Sequence, residues 1–580
     1  MEQNMNYYVT DGSGADFSCH TGITLLSDEN GTEIYKIVIS GKSDSVRIEW
    51  REPMTDHIGS WNPLAGRWRG LPQRFHEVRA DSCLHRGAPV IATFRPDGTA
   101  HRTVAISDAA ITGVLGYCVD DFRQNDEVAF FVELFDVPED YSTELRIDGR
   151  RLPLPGALAA VWDWWNGSVG KAAPLPDDAF APLYSTWYNF HQTPEQGELT
   201  KELKIAAGIG FKTVILDDGW QIAGEGTGDY RKSGDWLPAP DKFPDFKGFV
   251  DDVHSFGQKL VLWFAVPFAG FDTEAYARFK DKLLFETAWL INAGTLDIRY
   301  PEVREYISGT YMRYIKEYGI DGLKLDFIDT FAKNKDIPGY KPGMDCETVT
   351  QAVEKLLDGI IRGATAIKPD FLLEFRQNYV GPVVLKYANM LRVGDCAFDP
   401  VTNRIGVADL RMMTKDVAVH SDMLLWSPTE TAENCALQLL NIMFSVLQIS
   451  VRLTQIPDFQ LRVLESYLDY YRKNYRILTQ APILVRHPET CYSVLSAEDP
   501  ALNRRITVLY SESAVRADGS DTDVWNATGG ESVALINDTC ASLVITVYDC
   551  MQDEIRRINT DSPAVALDIP VGGYANIRLQ

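Results

Sequence analysis

Residues 318–331 read Y-G-I-D-G-L-K-L-D-F-I-D-T-F, and at their centre Lys324-Leu325-Asp326 sets a cation and a carboxylate two residues apart in an apolar run. On a strand, residues i and i+2 share a face. Lys324 and Asp326 would therefore point together, and Leu323, Leu325 and Phe327 the other way into packing. Charges in a run this apolar cost several kcal/mol unless they are paired or used. Two readings follow: a structural ion pair at a strand end, or a nucleophilic carboxylate held ionised by the neighbouring ammonium.

The surroundings of this stretch alternate short apolar strands with amphipathic helices. Strands are expected at Leu183–Trp187, Thr213–Asp217, Leu260–Phe264, the opening stretch, Phe371–Phe375, Met390–Val393, Val417–Asp422 and Val446–Ser450. Helical spacing is read over Glu198–Ala207, Lys247–Phe256, Pro301–Tyr318, Cys346–Ile367, Ile405–Lys415 and Thr431–Phe444. Eight strands, most separated by a helix, predict an α/β fold with a central (β/α)8 TIM barrel over residues 178–482. An open doubly wound sheet is the alternative, but no Gly-rich phosphate loop follows the first strand.

Outside the barrel the pattern is β. Ile34–Ile39, Val46–Trp50 and Val128–Leu134 are β-branched and aromatic runs bounded by turn residues, predicting an N-terminal β-sandwich over residues 1–165 with no helix in it. The loop Trp61–Trp68 is read either as packing or as reaching a neighbouring domain's site, and Trp162–Pro176 as a linker. Beyond Ile483 the helices stop. Runs such as Thr507–Tyr510, Ser532–Ile536 and Leu543–Tyr548 predict a small antiparallel β domain over residues 483–580.

The chain of 580 residues is too long for one core and carries a net charge of −25. That charge repels nucleic-acid phosphates and anionic membranes and suits a neutral ligand. The 13 Trp and 25 Tyr suit stacking on flat apolar faces. Nine Cys lie scattered with no C-x-x-C pair, and the nine His show no ligand spacing. Neither a metal nor another cofactor is therefore expected. The N-terminal M-E-Q-N-M-N-Y-Y has no basic or apolar leader region, and no apolar run reaches membrane length, so a cytoplasmic location is expected.

In such a barrel the chemistry collects at the C-terminal ends of the strands. There stand Asp217-Asp218-Gly219-Trp220 after the second strand, Lys324 and Asp326 at the fourth, and Glu374 and Arg376 at the fifth. Arg392 and Asp395 follow the sixth, His420 and Asp422 the seventh. The opposite barrel face has no matching set. Adjacent carboxylates can bind neighbouring hydroxyls, though Asp217-Asp218 also reads as a loop with a helix cap. Two carboxylates flanking an anomeric carbon suffice for retaining glycoside hydrolysis. No coherent Cys/His or Ser/His arrangement supports acyl transfer.

The Asp-Asp-Gly-Trp, Lys-Leu-Asp-Phe and Arg-Val-Gly-Asp motifs, with Leu296–Val303 before the fourth strand, resemble glycoside hydrolase family 36, the α-galactosidases of clan D. The resemblance covers residues 178 to 460, and the order of sandwich, barrel and small β domain matches too. It implies Asp326 as nucleophile and Asp395 as general acid/base, with Asp399 as the alternative acid. Asp217 and Asp218 would bind the O4 and O6 side of galactose. Lys324 would bind the sugar and keep Asp326 anionic, and Arg392 would orient hydroxyls or pair with the acid. Trp187, Trp220 and Trp263 would form aromatic walls. Many members carry Cys and a small-residue loop where this chain has Glu374-Phe375-Arg376-Gln377-Asn378-Tyr379, near the sugar's O2. The expected partners are neutral α-galactosides, with no nucleic acid and no membrane; a homo-oligomer stays open. The rivals are an α-N-acetylgalactosaminidase or galactosyl transferase of the same family, and a silent galactoside-binding protein.

Overall fold

The computed structural model describes residues 6–122, 126–169, 172–332 and 337–580. Eight short parallel strands form the centre: β1 (Leu183–Ser185), β2 (Thr213–Leu216), β3 (Lys259–Ala265), β4 (Gly322–Asp326), β5 (Leu372–Arg376), β6 (Met390–Arg392), β7 (Ala418–His420) and β8 (Gln448–Ile449). They lie side by side in the order β7-β6-β5-β4-β3-β2-β1-β8. A parallel bridge between His420 and Val446 brings the two ends together, so the sheet is a nearly closed barrel. The expected fold class is found, with all eight strands where the apolar runs put them.

The barrel lumen follows from the period of two. Leu183, Ile215, Val261, Leu372, Met390, Ala418 and Val446 form one buried apolar layer, plugged from below by Ala179 and Phe180. Gly322 belongs to this layer because a Cβ there would meet the Leu372 carbonyl oxygen at 2.7 Å and Val261 Cγ2 at 2.8 Å. Two residues further along each strand stand Ser185, Asp217, Trp263, Lys324, Glu374, Arg392, His420 and Gln448, nearly all polar. Register sets Lys324 opposite Trp263 and Glu374, and Arg392 opposite His420. Leu323, Leu325, Leu373, Phe375 and Leu391 point outward into the main core under the helices. One strand pattern thus supplies both the floor and the site above it.

The N-terminal region is two antiparallel sheets of five and six strands. They enclose a core that includes Ile37, Ile48, Trp50, Tyr117, Phe130 and Val132. The expected linker from Trp162 is instead the end of an α-helix, Leu154–Val169. Leu154, Leu158, Val161, Trp162 and Trp165 repeat at helical spacing and are buried. The Gly, Asn and Pro residues around Trp162–Pro176 had masked that stripe. The helix packs on the barrel helix Pro400–Met413, and Trp165 Nε1 donates to the Ile106 carbonyl of the sandwich at 2.8 Å. A small antiparallel sheet of Phe268–Gly270, Leu283–Thr287 and Ala293–Leu296 stands between β3 and β4.

The C-terminal region holds sheets of seven and three strands. The expectation of an antiparallel domain is corrected at two places. Arg504–Leu509 runs parallel to Asp521–Asn526, and Ala514–Ala517 parallel to Ser532–Asn537. Among the described residues no helix is long and apolar enough to cross a membrane.

Candidate active site

Asp326 ends β4, and three donors meet its carboxylate. Arg376 Nε and the N–H of Phe327, at 2.8 Å, donate to Oδ1; Trp263 Nε1 donates to Oδ2 at 3.1 Å. Phe327 has φ of 64°, a left-handed conformation rare for a bulky side chain. Burial would push the Asp326 carboxyl up. The charges of Arg376 and then Lys324, with these hydrogen bonds, outweigh it and hold the carboxyl well below the usual range. It stays ionised.

Lys324 lowers the Asp326 carboxyl as expected, but without touching it. Lys324 Nζ bonds Asp217 Oδ2 at 2.6 Å, both groups almost fully buried. Two residues of strand set side chains about 6–7 Å apart along the same face. The ammonium reaches across the lumen instead, and acts on Asp326 through its charge alone. Arg376, expected near the sugar's O2, is the cation in contact with Asp326.

Asp395 stands beyond β6, where Arg392 Nη2 donates to its Oδ1 at 2.8 Å. Arg392 also pairs with Asp422, which accepts from Tyr188 Oη at 2.8 Å and the Cys396 N–H at 2.7 Å. The Asp395 side chain is 58% exposed, against 11% for Asp326. Burial on its protein side raises the Asp395 carboxyl; Arg392 lowers it, the Asp326 charge raises it again, and the balance falls below the usual range. Asp399 is engaged elsewhere. It N-caps the helix Pro400–Met413 by accepting from the Thr402 N–H at 3.0 Å, and it pairs with Arg67 from the sandwich.

Asp217 accepts from Lys324 and from the Asp218 N–H at 2.9 Å. Asp218, expected to bind sugar beside it, is buried and hydrogen-bonded to its own loop and to the segment after β1. Its Oδ2 accepts from Gln192 Nε2 and its Oδ1 from Gln221 Nε2, each at 2.7 Å. Burial pushes its carboxyl up to about 6 against those two hydrogen bonds. Glu374 is fully buried below, accepting from Gln448 Nε2 at 2.6 Å, with its other oxygen 3.9 Å from Arg392 Nε. Burial raises its carboxyl against the charges of Lys324 and Arg392. His420 Nε2 donates to the Ala179 carbonyl at 2.8 Å, and burial lowers its imidazole to about 4, so it is a neutral strut. Glu374, Gln448 and His420 form the floor.

The expected aromatic walls divide. Trp263 stacks on Tyr230 with centroids 6.3 Å apart and turns its N–H to Asp326. Trp187 is half-buried beyond β1, edge-on to His191. Trp220 is fully buried among Trp236, Phe246, Phe264 and Tyr314, and its Nε1 donates to the Trp263 carbonyl at 3.1 Å. It is core and cannot be a wall. Beside Trp263 stands Tyr230, which also meets Phe268 and Phe327. Burial and the charges of Asp218, Asp326, Asp217 and Asp395 all raise the Tyr230 hydroxyl, so the ring stands among all four carboxylates. Nothing in the unpatterned loop between β2 and the next helix had marked Tyr230. Among the described residues no group of three or more His, Cys, Asp or Glu is arranged to hold a metal ion.

The family model described as Melibiase matches residues 181–376, from β1 to the end of β5. Probable alpha-galactosidase C of Aspergillus flavus is 26% identical over 168 residues, 25% of this chain and 21% of that protein. A type blood alpha-D-galactosamine galactosaminidase of Flavonifractor plautii is 29% identical over 150 residues, 22% of this chain and 13% of that protein. The matched stretches thus span about a fifth or less of these curated relatives. Among solved structures, the GH36 alpha-galactosidase AgaA of Geobacillus stearothermophilus superposes with a TM-score of 0.63 at 14% identity, covering 99% of this chain and 89% of that one. The likeness is one of fold, and it extends over sandwich, barrel and C-terminal sheets. The resemblance to glycoside hydrolase family 36 read from the motifs stands.

Proposed function

We propose that this chain, which carries the melibiase match and the fold of the family 36 enzymes, is a retaining, exo-acting α-galactosidase. One observation carries the reading: two neighbouring carboxylates of opposite setting. Asp326 is buried and kept anionic by Arg376, Lys324 and Trp263; Asp395 is open to the cleft on a single arginine. A retaining hydrolase needs that division. Asp326 attacks the anomeric carbon while Asp395 gives its proton to the departing oxygen. In the second step Asp395 takes a proton from water, which displaces Asp326 from the sugar. Because Arg392 holds Asp395 ionised in the free protein, the productive form gains a proton as substrate binds, and turnover is favoured towards acid pH.

Asp217, steadied by Lys324, faces the sugar hydroxyls, and Tyr230 and Trp263 offer the apolar face. Polar groups on one side and stacked rings on the other suit a single terminal ring, which supports exo action. The substrates are neutral α-galactoside oligosaccharides. Structural neighbours with this fold hold raffinose and stachyose.

The deciding experiment is trapping with a fluorinated α-galactosyl donor, followed by digestion to locate the labelled residue. Label on Asp326 is the expected result; label elsewhere, or none with active protein, removes the scheme. Parallel assay of nitrophenyl α-galactoside and its 2-acetamido analogue separates galactosidase from galactosaminidase. A sucrose acceptor tests transfer, and binding of galactose without any turnover would make the chain a binding protein.

A further inference from the structure

Asp329 lies three residues beyond Asp326, in the short helical turn Ile328–Ala332, and has no task in the reaction described above. It is 2% exposed, and its Oδ1 has no hydrogen-bond partner. A buried carboxylate oxygen left bare is costly to keep. The sandwich closes over it. Phe331 of the same turn meets the buried His85 edge-on with centroids 6.4 Å apart, and the Gly87 N–H donates to the Asn378 carbonyl at 2.8 Å. The Asp329 charge also helps to raise the buried Cys83 thiol, after burial itself.

The cation beside it is Arg376. Arg376 Nη2 stands 3.8 Å from Asp329 Oδ1, too far for a hydrogen bond, while Nε donates to Asp326. Among the described residues these are the two carboxylates within 4 Å of that guanidinium. The guanidinium also lies against the rings of Phe327 and Tyr379, 5.4 and 5.9 Å from their centroids. One cation therefore serves two anions, and the resting site carries a surplus negative charge. The first chemical step changes that count. As Asp326 bonds to the anomeric carbon, the glycosidic oxygen leaves with the Asp395 proton, and Asp326 becomes a neutral ester. Arg376, 15% exposed, then loses the charge it was paired with, and the bare Asp329 oxygen is the carboxylate at hand.

We propose that Asp329 is a positioning residue that takes over Arg376 while the sugar is attached to Asp326, and competes for it while Asp326 is free. The inference rests on the α-galactosidase reading, and the test separates the two. Asp329→Asn keeps the shape and removes the charge; Asp329→Ser is a second uncharged variant, and Asp329→Glu restores the charge. Trapping with a fluorinated α-galactosyl donor gives two first-order rates, labelling at saturating donor and release of the label by water. Without the Asp329 charge the free Asp326 is better paired and the ester leaves a buried arginine unpaired. Labelling should then slow and release should quicken, so that the ratio of labelling to release falls by about tenfold, the effect of one charge at this range. The acid limb of kcat/KM should move to lower pH in the same variants, and Asp329→Glu should hold the ratio near that of the wild type. A purely structural role would slow both steps together. That result, an unchanged ratio in the uncharged variants, or a Glu variant that behaves like them overturns the role of Asp329 and leaves the galactosidase reading intact. A wild-type protein that takes no label removes that reading instead.

Discussion

Replacing Arg376 by Gln tests the central electrostatic claim, that a cation in contact keeps Asp326 ionised inside the barrel. The Arg376 and Asp326 side chains are 15% and 11% exposed, so the pair is shielded from water. Removing one partner of a buried pair costs roughly 3–5 kcal/mol, because the other charge is left behind. Lys324 and the N–H groups of Trp263 and Phe327 remain, which puts the expected loss near the lower end, about 3 kcal/mol at pH 7. The sign then follows. In the wild type the folded carboxyl is depressed; its stabilisation is complete above the unfolded value of about 3.9 and is lost only as pH falls through the depressed folded value. In Arg376→Gln burial wins and the carboxyl rises, so the penalty is full at neutral pH and fades as pH falls through the raised value. The stability gap between the two proteins, read from denaturant unfolding, should therefore shrink between pH 7 and pH 4. The acid limb of kcat/KM should move up by about 1–3 pH units, the usual effect of an opposite charge in contact. A gap independent of pH, with an acid limb that does not move, would refute the reasoning.

Two further outcomes follow from the other carboxylate. Both Asp326 and Asp395 are held below the ordinary carboxylate range, so kcat/KM should peak on the acid side of neutrality and fall as pH rises and Asp395 loses its proton; a rate flat from pH 4 to 9 would contradict the two-carboxylate scheme. Asp395→Asn should slow cleavage of a disaccharide by about 10²–10⁴-fold but slow α-galactosyl fluoride far less, since fluoride leaves without a proton. Equal losses on both substrates would give Asp395 another role.

Much of the fold was legible because the lumen repeats one rule. Leu372 and Glu374, or Met390 and Arg392, are successive inward residues of one strand, apolar below and charged above, and that switch can be read directly in β5 and β6. The helix Leu154–Val169 was missed for the opposite reason. Its stripe of Leu154, Leu158, Val161, Trp162 and Trp165 is helical, but the Gly, Asn and Pro residues around it are ordinary turn formers. Tertiary burial against the sandwich and the helix Pro400–Met413 outweighs those local preferences. The small sheet between β3 and β4 left no comparable signal, since its strands are three to five residues long.

The site shows where strand periodicity stops being informative. That Lys324 and Asp326 share a face follows from the period of two; which group each touches depends on lateral register and reach, which sequence spacing does not contain. Register puts Arg376 on β5 within reach of Asp326 and lets the longer Lys324 cross to Asp217. One short pair thus becomes two separate ion pairs, each joining neighbouring or facing strands. The same limit explains Trp220 and Trp263. Both are Trp at or just beyond a strand end, yet Trp220 sits behind the strands and Trp263, an inward residue of β3, points at Asp326. Parity decides between them: Trp263 is two residues on from the lumen residue Val261, while Trp220 lies past the end of β2 where the alternation no longer applies. Aromatic type alone carried no such information. Asp217 and Asp395, just past β2 and β6, were still placed by their motifs, whereas Trp220 and Tyr230, deeper in the loop after β2, needed the fold.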